Sequence, residues 1–259
     1  MDIRRSEIGL SSGPVSYAEF GEGRPLLYLH AAGGPQVSQF LKDLAKTHKI
    51  YAPTAPGFEG TPAHDKVRNV RDVAKLYGEF ANAVIKQPCD VMGHSFGGWT
   101  ALWLAVEHPD AVGQLVLEAP GGLRIGAKPM PPPANHAELL RRLYLYPEKA
   151  KHFAKPPEVA AANMAAFGRY NEGKLVDEDL LARLPDIKAR TLTILATKDE
   201  MIPAKTGHVL KEKIPHSHLT YVYDAAHGIE SDQPERMLRL VTAFLERGEA
   251  FIVNAGDAA

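Results

Sequence analysis

Ser95 lies in Gly93-His94-Ser95-Phe96-Gly97, where the apolar run "CDVMGH" meets the helix-forming "SFGGWTALWLAVEH". A serine hydroxyl attacks a carbonyl carbon only when a base takes its proton. The spacing G-x-S-x-G between a strand and a helix suits a nucleophile at the tip of a sharp turn. Small residues two places before and after the serine keep strand and helix from colliding. The free N–H groups of the helix N-terminus favour negative charge developing beside the serine. The plainer alternative is a serine that caps a closely packed helix.

The base is expected to be a histidine, oriented by a carboxylate. Of the eleven histidines, His227 is best placed, in "DAAHGIESDQPE" between the strand-like "LTYVYD" and the last helix. A loop at the carboxyl end of a strand can reach the serine. Asp199, in "LATKDEMIP" directly after another strand, is the expected acid and gives the chain order serine, acid, histidine. Glu118, in "LVLEAPGG", also ends a strand and is the alternative acid; Glu200 and Asp232 are weaker candidates. "HAAGG" (30–34) follows the buried run "PLLYLH", and its small residues let backbone approach a substrate. The backbone N–H groups of Ala32 and Phe96 are the expected oxyanion donors. His30 is expected to tie this loop down, and His94 to point elsewhere than the reacting atoms.

These residues need elements to hold them. "PVSYAEF", "PLLYLH", a run within "HKIYAPTAPGFEG", "CDVMGH", "VGQLVLEAP", "RTLTILAT" and "SHLTYVYD" read as strands. Apolar residues at Val67, Val70, Ala74, Tyr77, Ala81 and Val84 predict a helix over 67–86. Met237, Leu240, Val241, Phe244 and Leu245 mark the inner face of a final helix. Strands alternating with helices predict an α/β fold with a mostly parallel sheet covered on both faces. The rhythm breaks after Gly121, through "KPMPPP" and a run of Ala-, Leu- and Tyr-rich helices. Residues 1–122 and 186–259 are therefore expected to form the core, and 123–185 an inserted helical cap. Tyr144, Tyr146, Phe153, Met164, Phe167 and Tyr170 in that cap either pack it on the core or face an apolar or aromatic substrate portion.

Composition narrows the partners. Thirty basic residues nearly cancel thirty-one acidic ones in 259, leaving a net charge of −1 and no electrostatic case for nucleic acid or an anionic membrane. The single cysteine, Cys89, excludes an internal disulfide framework. No signal-peptide pattern and no 18-residue apolar run occur, so a cytoplasmic protein is expected, acting on a small molecule without cofactor or metal.

Together the residues resemble the α/β-hydrolase superfamily: "LHAAGG" (29–34), "APGFEGTP" (55–62), "GHSFGGWTAL" (93–102), "HPDAVGQLVLEAP" (108–120), "KDEMIP" (198–203) and "DAAHG" (224–228). The likeness spans nearly the whole chain except the insertion, which sits where that superfamily places its lid. It implies a nucleophile elbow at Ser95 and a Ser95–His227–Asp199 triad. A serine at this position is unlike the aspartate of haloalkane dehalogenases and epoxide hydrolases. "EHPDAVGQLVLEAPGG" is similar to the carbon–carbon hydrolases that cleave aromatic ring-fission products. Gly228 and Ile229 depart from them, standing where an aromatic residue often follows the catalytic histidine. Ala31 replaces the glycine of the usual histidine–glycine pair, and Thr197 a common glycine. The resemblance implies first a hydrolase of small carboxylic esters. The second reading is carbon–carbon hydrolysis of an anionic substrate, with Arg124 or Arg169 as its anchor. A third is a small-molecule receptor on the same fold.

Overall fold

The structure is a computed structural model describing residues 1–127, 130–131 and 133–248, with only the backbone described at 136 and 151–153. Lys128, Pro129 and Pro132 of the proline-rich stretch, and the Phe153 side chain, lie outside the described residues. Eight strands form one sheet: β1 (Arg4–Leu10), β2 (Gly13–Phe20), β3 (Arg24–Leu29), β4 (His48–Pro53), β5 (Cys89–His94), β6 (Val112–Glu118), β7 (Arg190–Ala196) and β8 (Ser217–Val222). Their order is β1-β2-β4-β3-β5-β6-β7-β8. Only β2 runs against its neighbours; from β4 to β8 every pair is parallel.

Parallel strands need crossovers, and the crossovers bury both faces of this sheet. Side chains alternate accordingly. Leu27, Leu29, Val91 and Leu117 face the core under α2 (Val70–Phe80) and α3 (Phe96–Glu107). Leu26, Met92, Val116 and Leu192 face the other, with Phe40 and Leu41 of α1 (Gln39–Leu44) and Met237, Val241 and Phe244 of α9 (Pro234–Arg247). Every residue of α3 from Phe96 to Val106 is buried, which explains a helix with no polar face. At about 1.5–3 kcal/mol for each large side chain buried, α3 is the best-anchored helix and a rigid base for the residue before it.

Two boundaries differ from the pattern reading. The helix over 67–86 starts at Val70, because Asn69 accepts the Asp72 N–H at 2.9 Å and caps it. It ends in a π-helical turn, Ala81–Ile85, closed by Lys86 at φ 63°. Strand β1 has no counterpart in the sequence reading: it is an edge strand, exposed or half-buried throughout, with charged residues in place of an apolar run.

Between β6 and β7 the chain carries α4 (His136–Leu143), α5 (Pro157–Asn171) and α6 (Glu178–Arg183). The segment is rooted on α3. Asp177 Oδ2 accepts from the indoles of Trp99 and Trp103, at 2.9 and 2.8 Å, and its Oδ1 caps α6 through Leu180 N–H at 3.2 Å. No described helix is long and apolar enough to cross a membrane.

Candidate active site

Strands β5, β6 and β7 are neighbours, with β8 beyond them, and all four end at one edge of the sheet. Ser95 follows β5 at φ 55°, ψ −110°, a strained conformation for a residue with a side chain. Its side chain makes no capping bond to α3, so the plain N-cap alternative does not hold. The strain is held by backbone: Ser95 N–H donates to Glu118 O at 2.9 Å, and Ser95 O accepts from Gly121 N–H at 2.8 Å and Trp99 N–H at 3.0 Å. The flanking glycines are steric necessities. A Cβ on Gly93 would lie 2.2 Å from Gly97 O, and one on Gly97 would lie 1.9 Å from Leu29 O. The serine itself is only partly buried.

His227 lies in the loop after β8, and its Nδ1 stands 3.0 Å from Asp199 Oδ2. Both side chains are almost wholly enclosed, at 5% and 1% exposure. The second oxygen of Asp199 accepts from the backbone N–H groups of Met201 and Ile202, at 2.7 and 3.0 Å. Burial pushes this carboxyl up. The pull of His227, the bond to it and the two backbone donors outweigh burial and hold it below the usual carboxylate value. Asp199 is thus an ionised acceptor facing the imidazole.

Glu118, the alternative acid, takes another place. It is fully buried, and its Oε1 accepts from Glu230 N–H at 2.9 Å, at the start of the short helix α8 (Ile229–Asp232). Its Oε2 has no partner among the described residues. Burial, and then the charge of Glu230, raise it well above the ordinary value; burial raises Glu230 to about 7, against the hydrogen bonds of Ser38 and Tyr28. Asp232, a weaker candidate, is also elsewhere: its carboxylate accepts from Ala226, Leu145 and Tyr146 N–H, at 2.8, 2.9 and 3.0 Å. It thereby ties the loop of His227 to the chain after α4.

Two further histidines brace the site. His94 is buried, its Nε2 lies 3.1 Å from His227 O, and the two rings are 5.1 Å apart. It therefore clamps the His227 loop to the strand end that carries Ser95. Burial, then the neighbouring His227, lower its pKa to about 3. His30 lies under the small-residue turn after β3. Its Nε2 accepts from Ala55 N–H at 3.1 Å, so its Nδ1 carries the proton and donates to Ala31 O at 2.8 Å. Burial lowers it to about 4, despite that bond to Ala31. Gly34 N–H also donates to Ala31 O, at 2.9 Å. With the Ala31 carbonyl held twice, the Ala32 N–H at the other end of the same planar peptide is fixed on the opposite side.

The remaining candidates make contacts within the chain. Arg124 Nε donates to Met201 O at 2.8 Å. Arg169 donates to Tyr170 Oη at 2.9 Å and lies 4.9 Å from the centre of its ring. Phe167 and Tyr170 pack on Phe96, at 5.8 and 6.0 Å between ring centres. The Tyr144 ring lies against Gly228, where a Cβ would stand 2.4 Å from it. An opening of about 470 Å³ lies on the acid side of the site, bordered by Arg141, Tyr144, Leu145, Lys198, Asp199 and Ala226; Ser95 is not among its walls. Among the described residues no group of three or more His, Cys, Asp or Glu could hold a metal.

Comparison with known proteins places the chain in a family. Residues 26–240 match the alpha/beta hydrolase family. The chain belongs to that family and is a hydrolase. It is 29% identical to the 2-hydroxymuconate semialdehyde hydrolase of Pseudomonas putida, over 89% of this chain and 90% of that protein. It is 22% identical to the pimeloyl-[acyl-carrier protein] methyl ester esterase of Aeromonas hydrophila, over 89% and 99%. The meta-cleavage product hydrolase from Pseudomonas fluorescens has the same fold, with a TM-score of 0.78 at 19% identity over 93% of this chain and 97% of that one.

Proposed function

We propose that the chain is a cofactor-independent serine hydrolase of small carboxylic esters, working through an acyl-enzyme. The observation that carries this is Ser95 on its strained turn, free of capping duty, with the His227–Asp199 pair at the same sheet edge. In this mechanism Ser95 Oγ attacks the carbonyl carbon as His227 Nε2 takes its proton. Asp199 keeps the proton on Nδ1 and stabilises the imidazolium. The N–H groups of Ala32 and Phe96 receive the tetrahedral oxyanion. His227 then protonates the leaving alkoxide, and a water activated by His227 releases the acid and restores Ser95. Segment 123–185 acts as the cap over this site.

Carbon–carbon hydrolysis is the second reading, and the 2-hydroxymuconate semialdehyde hydrolase favours it by its identity. Against it stand the two arginines expected to anchor an anionic substrate, both engaged in structural contacts. A panel of acyl esters and ring-fission acids, assayed on wild type and Ser95→Ala, separates the readings. Esters should turn over, and Ser95→Ala should lose both turnover and covalent labelling by a fluorophosphonate. Labelling that persists in Ser95→Ala rejects the nucleophile, and turnover confined to ring-fission acids selects the second reading. Ligand-dependent partner capture without turnover selects a receptor.

A further inference from the structure

The turn Ala31–Gly34 contains two alanines and two glycines, so no side chain of its own can hold its shape. It depends on bonds made to its backbone. Two reach Ala31 O, from the His30 ring and from the Gly34 N–H. Another comes from α5. Asn163 is fully buried, and its Nδ2 donates to Gly33 O at 2.9 Å and to Glu59 Oε1 at 2.7 Å. Its Oδ1 accepts the Glu59 N–H at 2.8 Å. Both donors and the acceptor of the amide are thus engaged, in one orientation. Lys155 completes the knot, with Nζ 2.7 Å from Glu59 Oε1 and 3.1 Å from Pro35 O. The fit is close: Gly34 is at φ +88°, and a Cβ there would lie 2.4 Å from Glu59 Oε1 and 2.6 Å from Asn163 Nδ2.

We propose that Asn163 is a positioning residue for the oxyanion donor Ala32, so that the oxyanion hole is complete only with α5 docked on the turn. This rests on the serine-hydrolase reading above and on Ala32 as a donor. Asn163 touches no reacting atom; it fixes the Gly33 peptide, and through it the tilt of the Ala32 N–H. Full oxyanion charge exists only in the tetrahedral state, so misplacing its donor lowers kcat and kcat/KM together and leaves KM alone. A side chain that merely packs α5 gives the other pattern, lost stability or a raised KM with kcat kept.

The test uses the full chain with Asn163→Ala and Asn163→Asp, their folding checked by circular dichroism and thermal melts. An ester that wild type hydrolyses serves as substrate, and a trifluoromethyl ketone as a reversible tetrahedral mimic. A displacement on the order of 1 Å costs about 100-fold in rate, so kcat should fall about 10- to 100-fold with KM within about threefold. Affinity for the ketone should fall by the same factor as kcat/KM. Asn163→Asp should be the worse, since it turns a carboxylate oxygen towards Gly33 O. A folded Asn163→Ala with kcat within about threefold of wild type, or with its loss confined to KM, overturns the proposal. Should neither variant fold, Glu59→Ala removes the outer anchor of the same amide. A fall of about fivefold or more in kcat then supports the proposal, and a smaller one overturns it. A wild type that neither hydrolyses esters nor labels at Ser95 fails the functional reading instead, a distinct result.

Discussion

Asp199 and Glu118 leave neighbouring parallel strands, β7 and β6, at the same edge of the sheet, and both end fully or almost fully enclosed. Their chemistry is opposite. Asp199 meets an imidazole and two backbone N–H groups, enough donors to keep it ionised against burial. Glu118 accepts one backbone N–H at 2.9 Å and faces a second carboxyl, Glu230, and burial with that charge pushes it well above the usual carboxylate value. Glu118 makes its hydrogen bond to the Glu230 backbone, and His227 makes its own to Asp199. Position at the end of a strand is therefore not enough to pair a carboxylate with His227. What sets Asp199 apart is the imidazole it faces, beside the Met201 and Ile202 N–H groups.

Exchanging one atom at each acid tests that contrast. Asp199→Asn keeps the volume and can keep both backbone donors on its oxygen. It turns an NH2 towards His227 Nδ1, which forces the wrong tautomer. Loss of kcat on the order of 10³- to 10⁴-fold is expected in an ester assay with folded variant. Glu118→Gln keeps the volume and the acceptor for Glu230 N–H. Turnover within about threefold and a melting curve shifted by no more than about 1 kcal/mol in stability are expected. Equal damage from both substitutions breaks the contrast, and the reverse order moves the acid to β6.

Much of this was legible in the sequence because the central strands are buried on both faces and read as unbroken apolar runs. The elbow was legible because its glycines are forced by distances under 2.5 Å, which no other residue tolerates. Asp199 and Glu118 were both visible, but not their difference: Glu230 and the Met201 and Ile202 N–H groups converge only in the folded chain. Strand β1 lacked a signal because an edge strand needs no apolar run. The braces His94, Asp232 and Asn163 lacked one too. Each acts on at least one stretch of backbone that is distant in sequence, which leaves no spacing to read. The Asp177 carboxylate beneath Trp99 and Trp103 is the same kind of contact, between residues more than seventy apart.

The smallest effect sharpens the Glu118 side. Glu230 titrates at about 7 in the folded chain and near 4.5 when unfolded. Between those values the folded chain binds the extra proton, so the stability this proton contributes falls as pH rises through the window and is gone above it. Glu230→Gln has no such proton, and it also removes the charge that raises Glu118. Its stability relative to wild type should climb from pH 4.5 through about 7, by about 3.4 kcal/mol from Glu230 itself at 1.36 kcal/mol per unit, with the relieved Glu118 adding to the gap. His30 works in the opposite sense: lowered to about 4, it makes both proteins less stable as pH falls below the usual histidine value. It is present in both, so subtraction removes it. Urea unfolding of the pair at several pH values gives the difference directly. A gap that stays flat across the window means that burial does not raise Glu230 in the folded chain, and that its charge is not there to raise Glu118.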